Sequence, residues 1–327
     1  MKPLSTTVLV NALSGLRTNE ASCSSPEAHA TLTQALASRQ AAPVIAAANL
    51  IAEYKLRGWG DALRSAFHEL AGEKAATLDP GSLAKEALVT ALDVLDASEP
   101  ALFAEAALFV NRERNRAPLR DSAARLRARG LLALARVAHP DFLIVAGAGL
   151  ADADPTVRLA AAQAIGVRGH RDGAGLLLLR LSVANDSQEL FVECLHGLFA
   201  IAPEFASRFA HGALRDPRED VRERIVHALG AAPDDSAVDL LASELPRHAL
   251  TDARQPFIDA LGLSVRPRAR ALLLDLVSGE RESDAEAALQ ALAIHRYDQR
   301  LCADLATRTA HDDDLAQRFR ELFERSV

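Results

Sequence analysis

Aromatic residues are scarce: 4% of the 327-residue chain, with one Trp and two Tyr, and there is a single Met. A core short of rings has to be built from Ala and aliphatic side chains, which suits closely packed helices and argues against a sheet protein. Cysteine is as sparse. Cys23, Cys194 and Cys302 are odd in number, far apart and in no CxxC or Cys/His cluster, which excludes a disulfide framework and a zinc site and points to a reducing cytoplasm. Basic residues are not in excess; with 37 Lys and Arg against 44 Asp and Glu, net charge −7, no overall field gathers phosphate backbones. No uninterrupted apolar run approaches ~18 residues, so no membrane span is expected. The opening MKPLSTTVLVNALSGLRTNEASC has a basic start like a secretory leader. Asn11 and Arg17 interrupt it, and Glu20 stands where a lipoprotein cleavage site wants an apolar residue, so it reads as a first helix. Catalytic signatures are also missing: no GxSxG, P-loop, HExxH or glycine-rich nucleotide fingerprint, and no Cys beside a plausible base.

What the chain does contain is a period. A segment of the form x-R-x-x-apolar-apolar-polar-Ala-Leu-Gly recurs with frame starts at Leu126, Val157, Leu190, Val221, Ala253, Asp284 and Leu315, spaced 31, 33, 31, 32, 31 and 31. An earlier frame begins at Ala84, 42 residues before Leu126. Frame positions five and eight are apolar, as in Leu131/Leu134 and Val226/Leu229, and position seven is small, as in Ala133, Ala228 and Ala260. Apolar residues at three- and four-residue spacing bury one helix face, and the small residue lets a neighbouring helix approach. Gly166, Gly230 and Gly262 follow and are expected to cap helix C-termini. Between frames lies a second apolar helix each time, so every unit is a helical hairpin that cannot cover its own apolar faces. Stacking covers them, and the expected architecture is an all-α solenoid.

The units resemble HEAT repeats in the short form of the phycobilisome-lyase HEAT-like proteins. The likeness rests on the trailing Ala-Leu-Gly and on an Asp-x5-Arg pairing carried by Asp121/Arg127, Asp152/Arg158 and Asp216/Arg222. The resemblance implies a right-handed α-α superhelix in which these residues form a stacked ladder at the intra-repeat turns. Independently, an acid at a helix N-terminus suits the dipole and an Arg fork can bridge to the next unit's acid. The pair weakens at Asn185/Phe191, His248/Arg254, Gly279/Ala285 and Ala310/Ala316, so stacking is expected to be regular from about 118 to 247 and looser beyond. Residues 1–80 read as an atypical N-terminal helical cap continuous with the solenoid. Residues 81–327 read as about eight units of 31–33 residues with an insertion near 99–117.

Frame position six is polar inside an otherwise apolar helix: Gln163, His196, His227, Asp259, Gln290 and Glu321. Positions two and three share its face and add Glu193, Glu223, Arg224 and Glu286. The resemblance places the second helix of each hairpin on the concave side, which makes Gln163, Glu193, His196, Glu223, Arg224, His227 and Asp259 a candidate protein-binding surface. Glu193-x-x-His196 and Glu223-x-x-x-His227 on adjacent helices could in principle hold a metal, but hydrogen bonding on a solvated face accounts for the same spacing, and neither metal nor cofactor is assigned. The stretch 111–129 carries seven Arg against Glu113 and Asp121; phosphate, acidic-protein or RNA contact competes there with solvated helix starts, and few rings interleave to stack on bases. The resulting reading is a cytoplasmic, non-catalytic scaffold or adaptor for a protein partner. The alternatives are a lyase or chaperone acting on a bilin or other cofactor, as the resemblance implies, and a DNA-binding or DNA-glycosylase-like HEAT protein, which the acidic balance disfavours.

Overall fold

A computed structural model describes residues 5–17, 23, 25–72, 74–113, 120–183, 186–248 and 250–324. The chain divides into two compact units, Met1–Arg168 and Gly169–Val327. Among the described residues the only strands are β1 (Arg112–Glu113) and β2 (Arg120–Asp121), an antiparallel ribbon inside the 42-residue spacing. The middle of the arginine-rich stretch, 114–119, lies outside the described residues.

The first unit contains α1 (Thr6–Leu16), α2 (Pro26–Leu36), α3 (Ala41–Glu53), α4 (Gly60–Ala71), α5 (Leu83–Val94), α6 (Pro100–Leu108), α7 (Ala124–Arg136), α8 (Phe142–Leu150) and α9 (Pro155–Arg168), with one extra turn at Ala75–Leu78. Local chemistry sets several starts: the Ser25 hydroxyl accepts from the Ala28 amide at 3.1 Å, and Pro26, Pro100 and Pro155 open helices with their fixed φ. From α2 onward the helices form hairpins, α2–α3, α4–α5, α6–α7 and α8–α9. The second members α3, α5, α7 and α9 pack on one another in sequence as one layer, and the first members form the other. The frames at Ala84, Leu126 and Val157 all fall on second members. Residues before 80 thus build the same kind of hairpin as those after it. The sole Trp, Trp59, is buried at the entry to α4 with its ring 4.5 Å from that of His29.

The second unit repeats the scheme with α10 (Ala174–Leu181), α11 (Gln188–Ile201), α12 (Pro203–Ala213), α13 (Glu219–Gly230), α14 (Asp235–Glu244), α15 (Thr251–Leu263), α16 (Pro267–Val277), α17 (Glu282–Leu292), α18 (Gln299–Thr309) and α19 (Asp313–Phe319). Here α11, α13, α15, α17 and α19 form the frame layer, and α12, α14, α16 and α18 the other. Positions five and eight are buried in each complete frame, for example Leu195/Leu198, Ile258/Leu261 and Leu289/Leu292. Each such Leu contributes about 2 kcal/mol by leaving water.

Two sequence expectations are corrected. Gly166, Gly230 and Gly262 lie within α9, α13 and α15, and the glycines with positive φ are Gly58, Gly81 and Gly169. The frame glycines are therefore not left-handed caps. A Cβ on Gly230 would sit 2.5 Å from the Ala260 carbonyl oxygen, and one on Gly262 would sit 2.7 Å from the Ala291 Cβ. Glycine at position nine thus receives the small residue at position seven of the next frame, and the two helices close on each other there. The second correction concerns stacking beyond 247. The Gly262–Ala291 approach joins α15 to α17, and the buried Arg254 fork pairs with Asp284 of α17 at 2.9 and 2.5 Å. The expected loosening is absent at this step because Asp284, at a frame start where the pattern wants an apolar residue, supplies the acid.

Candidate functional site

Frame position one carries a cationic rung wherever the pairing is complete. In the first unit the Arg127 guanidinium, 9% exposed, donates to both carboxylate oxygens of Asp152 in the next hairpin, at 2.8 and 3.2 Å. It also donates to the Phe109 carbonyl at 3.0 Å and to the Asp121 carboxylate of its own turn. Burial opposes its charge, but the hydrogen bonds to Asp152 and Asp121 outweigh that and raise its pKa. One frame earlier Lys85 takes the same position and Asp79, six residues before it, replaces the acid. Both are fully buried, with Nζ 2.8 Å from the carboxylate. Asp79 also caps α5 by accepting from the amides of Ala84 and Lys85 at 2.9 and 3.1 Å.

The remaining rungs are different. Arg158 donates to the carbonyls of Asp152 and Ala153, both at 2.9 Å. Arg222 donates to those of Asp216 and Pro217, at 2.8 and 3.1 Å. Neither is hydrogen-bonded to the carboxylate with which it was paired from the sequence: Asp152 takes Arg127, and Asp216 takes Arg218 at 3.0 and 3.1 Å. These side chains therefore clamp the turn backbone, using N–H donors where helix ends leave carbonyls unmatched.

The polar row divides by exposure. Glu223, His227, Asp259 and Gln290 are exposed, and Glu286 with them, on the successive frame helices α13, α15 and α17. Glu193, His196 and Arg224 are half-buried, as is Gln163 in the first unit. Arg224 is a tie between α11 and α13: its guanidinium lies 4.5 Å above the Phe191 ring and donates to the Gln188 Oε1 at 3.3 Å and the Asp186 carbonyl at 3.2 Å. His227 Nδ1 is 3.3 Å from Gln188 Nε2, and Asp259 accepts from Gln255 at 2.8 Å. Among the described residues no three His, Cys, Asp or Glu side chains come together as a metal ligand set.

His196 has a buried Nε2 without a hydrogen-bond partner. Burial lowers its pKa, against opposing contributions from the Glu193 carboxylate and the Ala228 backbone. The folded state thus prefers neutral imidazole, whereas the unfolded chain takes up its proton near the ordinary value of 6.5. Stability from this group is full above about pH 6.5 and falls as the pH drops toward the lower folded value. Melting temperatures of wild type and His196→Gln, compared between about pH 7.5 and 5.5, should show the flatter profile in the variant; parallel profiles would remove His196 as the cause. The Cys194 thiol is equally unsuited to chemistry, because burial pushes its pKa up to about 12.

Sequence reasoning missed a set of exposed apolar residues at the C-terminal ends of two frame helices. Leu263 at the end of α15 and Val265 in the turn after it are 50% and 85% exposed, and Ile294 and Tyr297 in the turn after α17 are 59% and 77% exposed. Val265 lines the same hollow as His295, so the two turns are neighbours. The signal was present as large apolar residues just beyond the Ala-Leu ending, outside the frame.

Among the described residues both units are stacks of helical hairpins, with the short β1–β2 ribbon in the first. No protein-family model matches the chain, and no curated protein matches it. Solved structures similar to it include the complex of CpcE and CpcF of phycocyanin lyase from a Nostoc species, at 17% identity over 80% of this chain and 93% of that one, TM-score 0.40. An engineered protein matches at 14% identity over 98% and 95% of the two chains, TM-score 0.37. The Pds5–Scc1 complex, described for cohesin function, matches at 11% identity over 98% and 63%, TM-score 0.27. No helix among the described residues is long and apolar enough to cross a membrane.

Proposed function

We propose that the chain is a protein-binding scaffold whose second unit carries the binding surface. One observation carries this reading: exposed Leu263, Val265, Ile294 and Tyr297 stand at and just beyond the C-terminal ends of α15 and α17, the helices that carry exposed Asp259 and Glu286 next to the Glu223 helix. Apolar side chains grouped in the open beside charged ones mark protein contacts, with a ring such as Tyr297 as the anchor and the charges selecting the partner. The partner best matched is a protein segment that offers Lys or Arg to the carboxylates and apolar residues to the turns. Gln163, in the first unit, is not needed for this surface.

The test is affinity capture by the tagged full chain, with each captured protein then purified and titrated. Glu223→Lys/Asp259→Lys/Glu286→Lys and Val265→Asp/Tyr297→Ala should each weaken the specific partner at least about tenfold, a loss of about 1.4 kcal/mol, while helicity stays as in wild type. Binding of every captured protein at wild-type strength by both variants would overturn the placement.

A further inference from the structure

Position one is not cationic in every frame of the second unit: Ala285 and Ala316 stand there in two frames, and Phe191 in a third. Arg127 reaches the acid 25 residues ahead, Asp152; the residue at the same separation before Asp216 is Phe191. With no guanidinium from the preceding hairpin, the space is a cavity of about 450 Å3 walled by Phe191, Phe209, Leu181 and Val183. The two rings face each other at a centroid distance of 6.2 Å and a tilt of 49°.

The obvious occupant would be a cation replacing the rung, but the charges around the cavity oppose it. Arg208, Arg218 and Arg224 line it against Asp216 and Asp220. The Asp216 carboxylate is already taken by the Arg218 fork. Arg224 hydrogen-bonds only to neutral oxygens, of the Gln188 side chain and the Asp186 backbone. Arg208 is exposed and makes no hydrogen bond or ion pair among the described residues; its guanidinium lies 5.7 Å from the Phe205 ring. Arg208 and Arg224, neither hydrogen-bonded to a carboxylate, therefore line a space that the Phe191 and Phe209 rings wall on its apolar side. Its volume is that of an ordinary small-ligand site, in which apolar walls hold the body and a few polar groups fix orientation.

We propose that this cavity binds a carboxylate carried on an aromatic or branched apolar group, with the apolar body against Phe191 and Phe209 and the carboxylate on Arg208 and Arg224. Arginine forks suit carboxylates geometrically, and such charge-assisted hydrogen bonds are the stronger kind. A free arylalkanoic acid and the C-terminal residue of a peptide ending in Phe present the same chemistry. The inference does not rest on the partner surface described above, which involves other residues.

The full chain is titrated calorimetrically with 3-phenylpropionate, its neutral amide and 2-phenylethylamine. One saturable site for the acid is expected, with the amide at least roughly tenfold weaker and no binding of the amine. Arg208→Gln, at an exposed position that the fold does not use, should weaken the acid roughly tenfold. Gly212→Leu adds a side chain at the cavity wall whose Cβ meets nothing within 4 Å, so it should fill the space without moving the backbone and abolish binding. A peptide ending in Phe, free or amidated, identifies the source: tighter binding of the free-acid peptide than of 3-phenylpropionate assigns a chain terminus, and weaker binding assigns a small acid. Absence of saturable binding by both the acid and the free peptide, equal binding of the amine, or acid binding untouched by both variants would overturn the proposal.

Discussion

Asp79→Ala is expected to destabilise the first unit by about 3–5 kcal/mol, because it strands a fully buried ammonium. Burial already lowers the Lys85 pKa, and the hydrogen bond and charge of Asp79 are what oppose that shift. Without the carboxylate, Lys85 keeps the Leu70 carbonyl at 3.4 Å and the Phe109 ring 5.0 Å away, neither of which carries a formal negative charge. The same substitution removes the cap on the Ala84 and Lys85 amides, itself an effect of about 1 kcal/mol. The double variant Asp79→Ala/Lys85→Met removes the stranded charge and replaces it with an apolar chain of similar length. It should therefore be more stable than Asp79→Ala alone, as replacement of a buried pair by apolar groups often is. Urea unfolding followed by circular dichroism measures both; a double variant less stable than the single one would show that the pair is not coupled.

Arg127→Ala should cost about 3–4 kcal/mol for a related reason. The side chain joins two hairpins through Asp121 and Asp152 and also satisfies the Phe109 carbonyl, so three acceptors lose their donor at once. Arg127→Lys keeps the charge but has no fork to span both Asp152 oxygens, and should recover only part of the loss. Thermal and urea melts of the three proteins rank them wild type, Lys, Ala. Equal stability of the Lys variant and wild type would show that charge alone suffices.

The hairpins were legible in the sequence because stacking imposes the same demand on every unit: two apolar positions and one small one per frame. The meaning of Gly230 and Gly262 was not, because glycine after an apolar run serves equally as a left-handed cap or as a point of close approach. The choice is made by Ala260 and Ala291 on the neighbouring helix, 30 and 29 residues away. The Asp79/Lys85 rung was readable in principle, since its six-residue separation sits in register with the Ala84 frame. Lysine in place of arginine concealed it. The rung partners were less accessible. Arg127, Arg158, Arg222 and Arg254 all hold their own turn, and whether such an Arg also grips the next acid, as Arg127 and Arg254 do, depends on where that acid lies in space. Candidate surface residues were the hardest to sort, because one frame register holds exposed Glu223 and Asp259 together with half-buried His196 and Arg224. Phe191 explains part of that difference: by vacating a rung it draws Arg224 inward over its ring.

Hydrogen exchange of the full chain with and without its captured partner tests the functional reading most directly. Added protection is expected on α13, α15 and α17 and on the turns that carry Val265 and Tyr297. Protection confined to the first unit, or to α12, α14 and α16, would contradict the account.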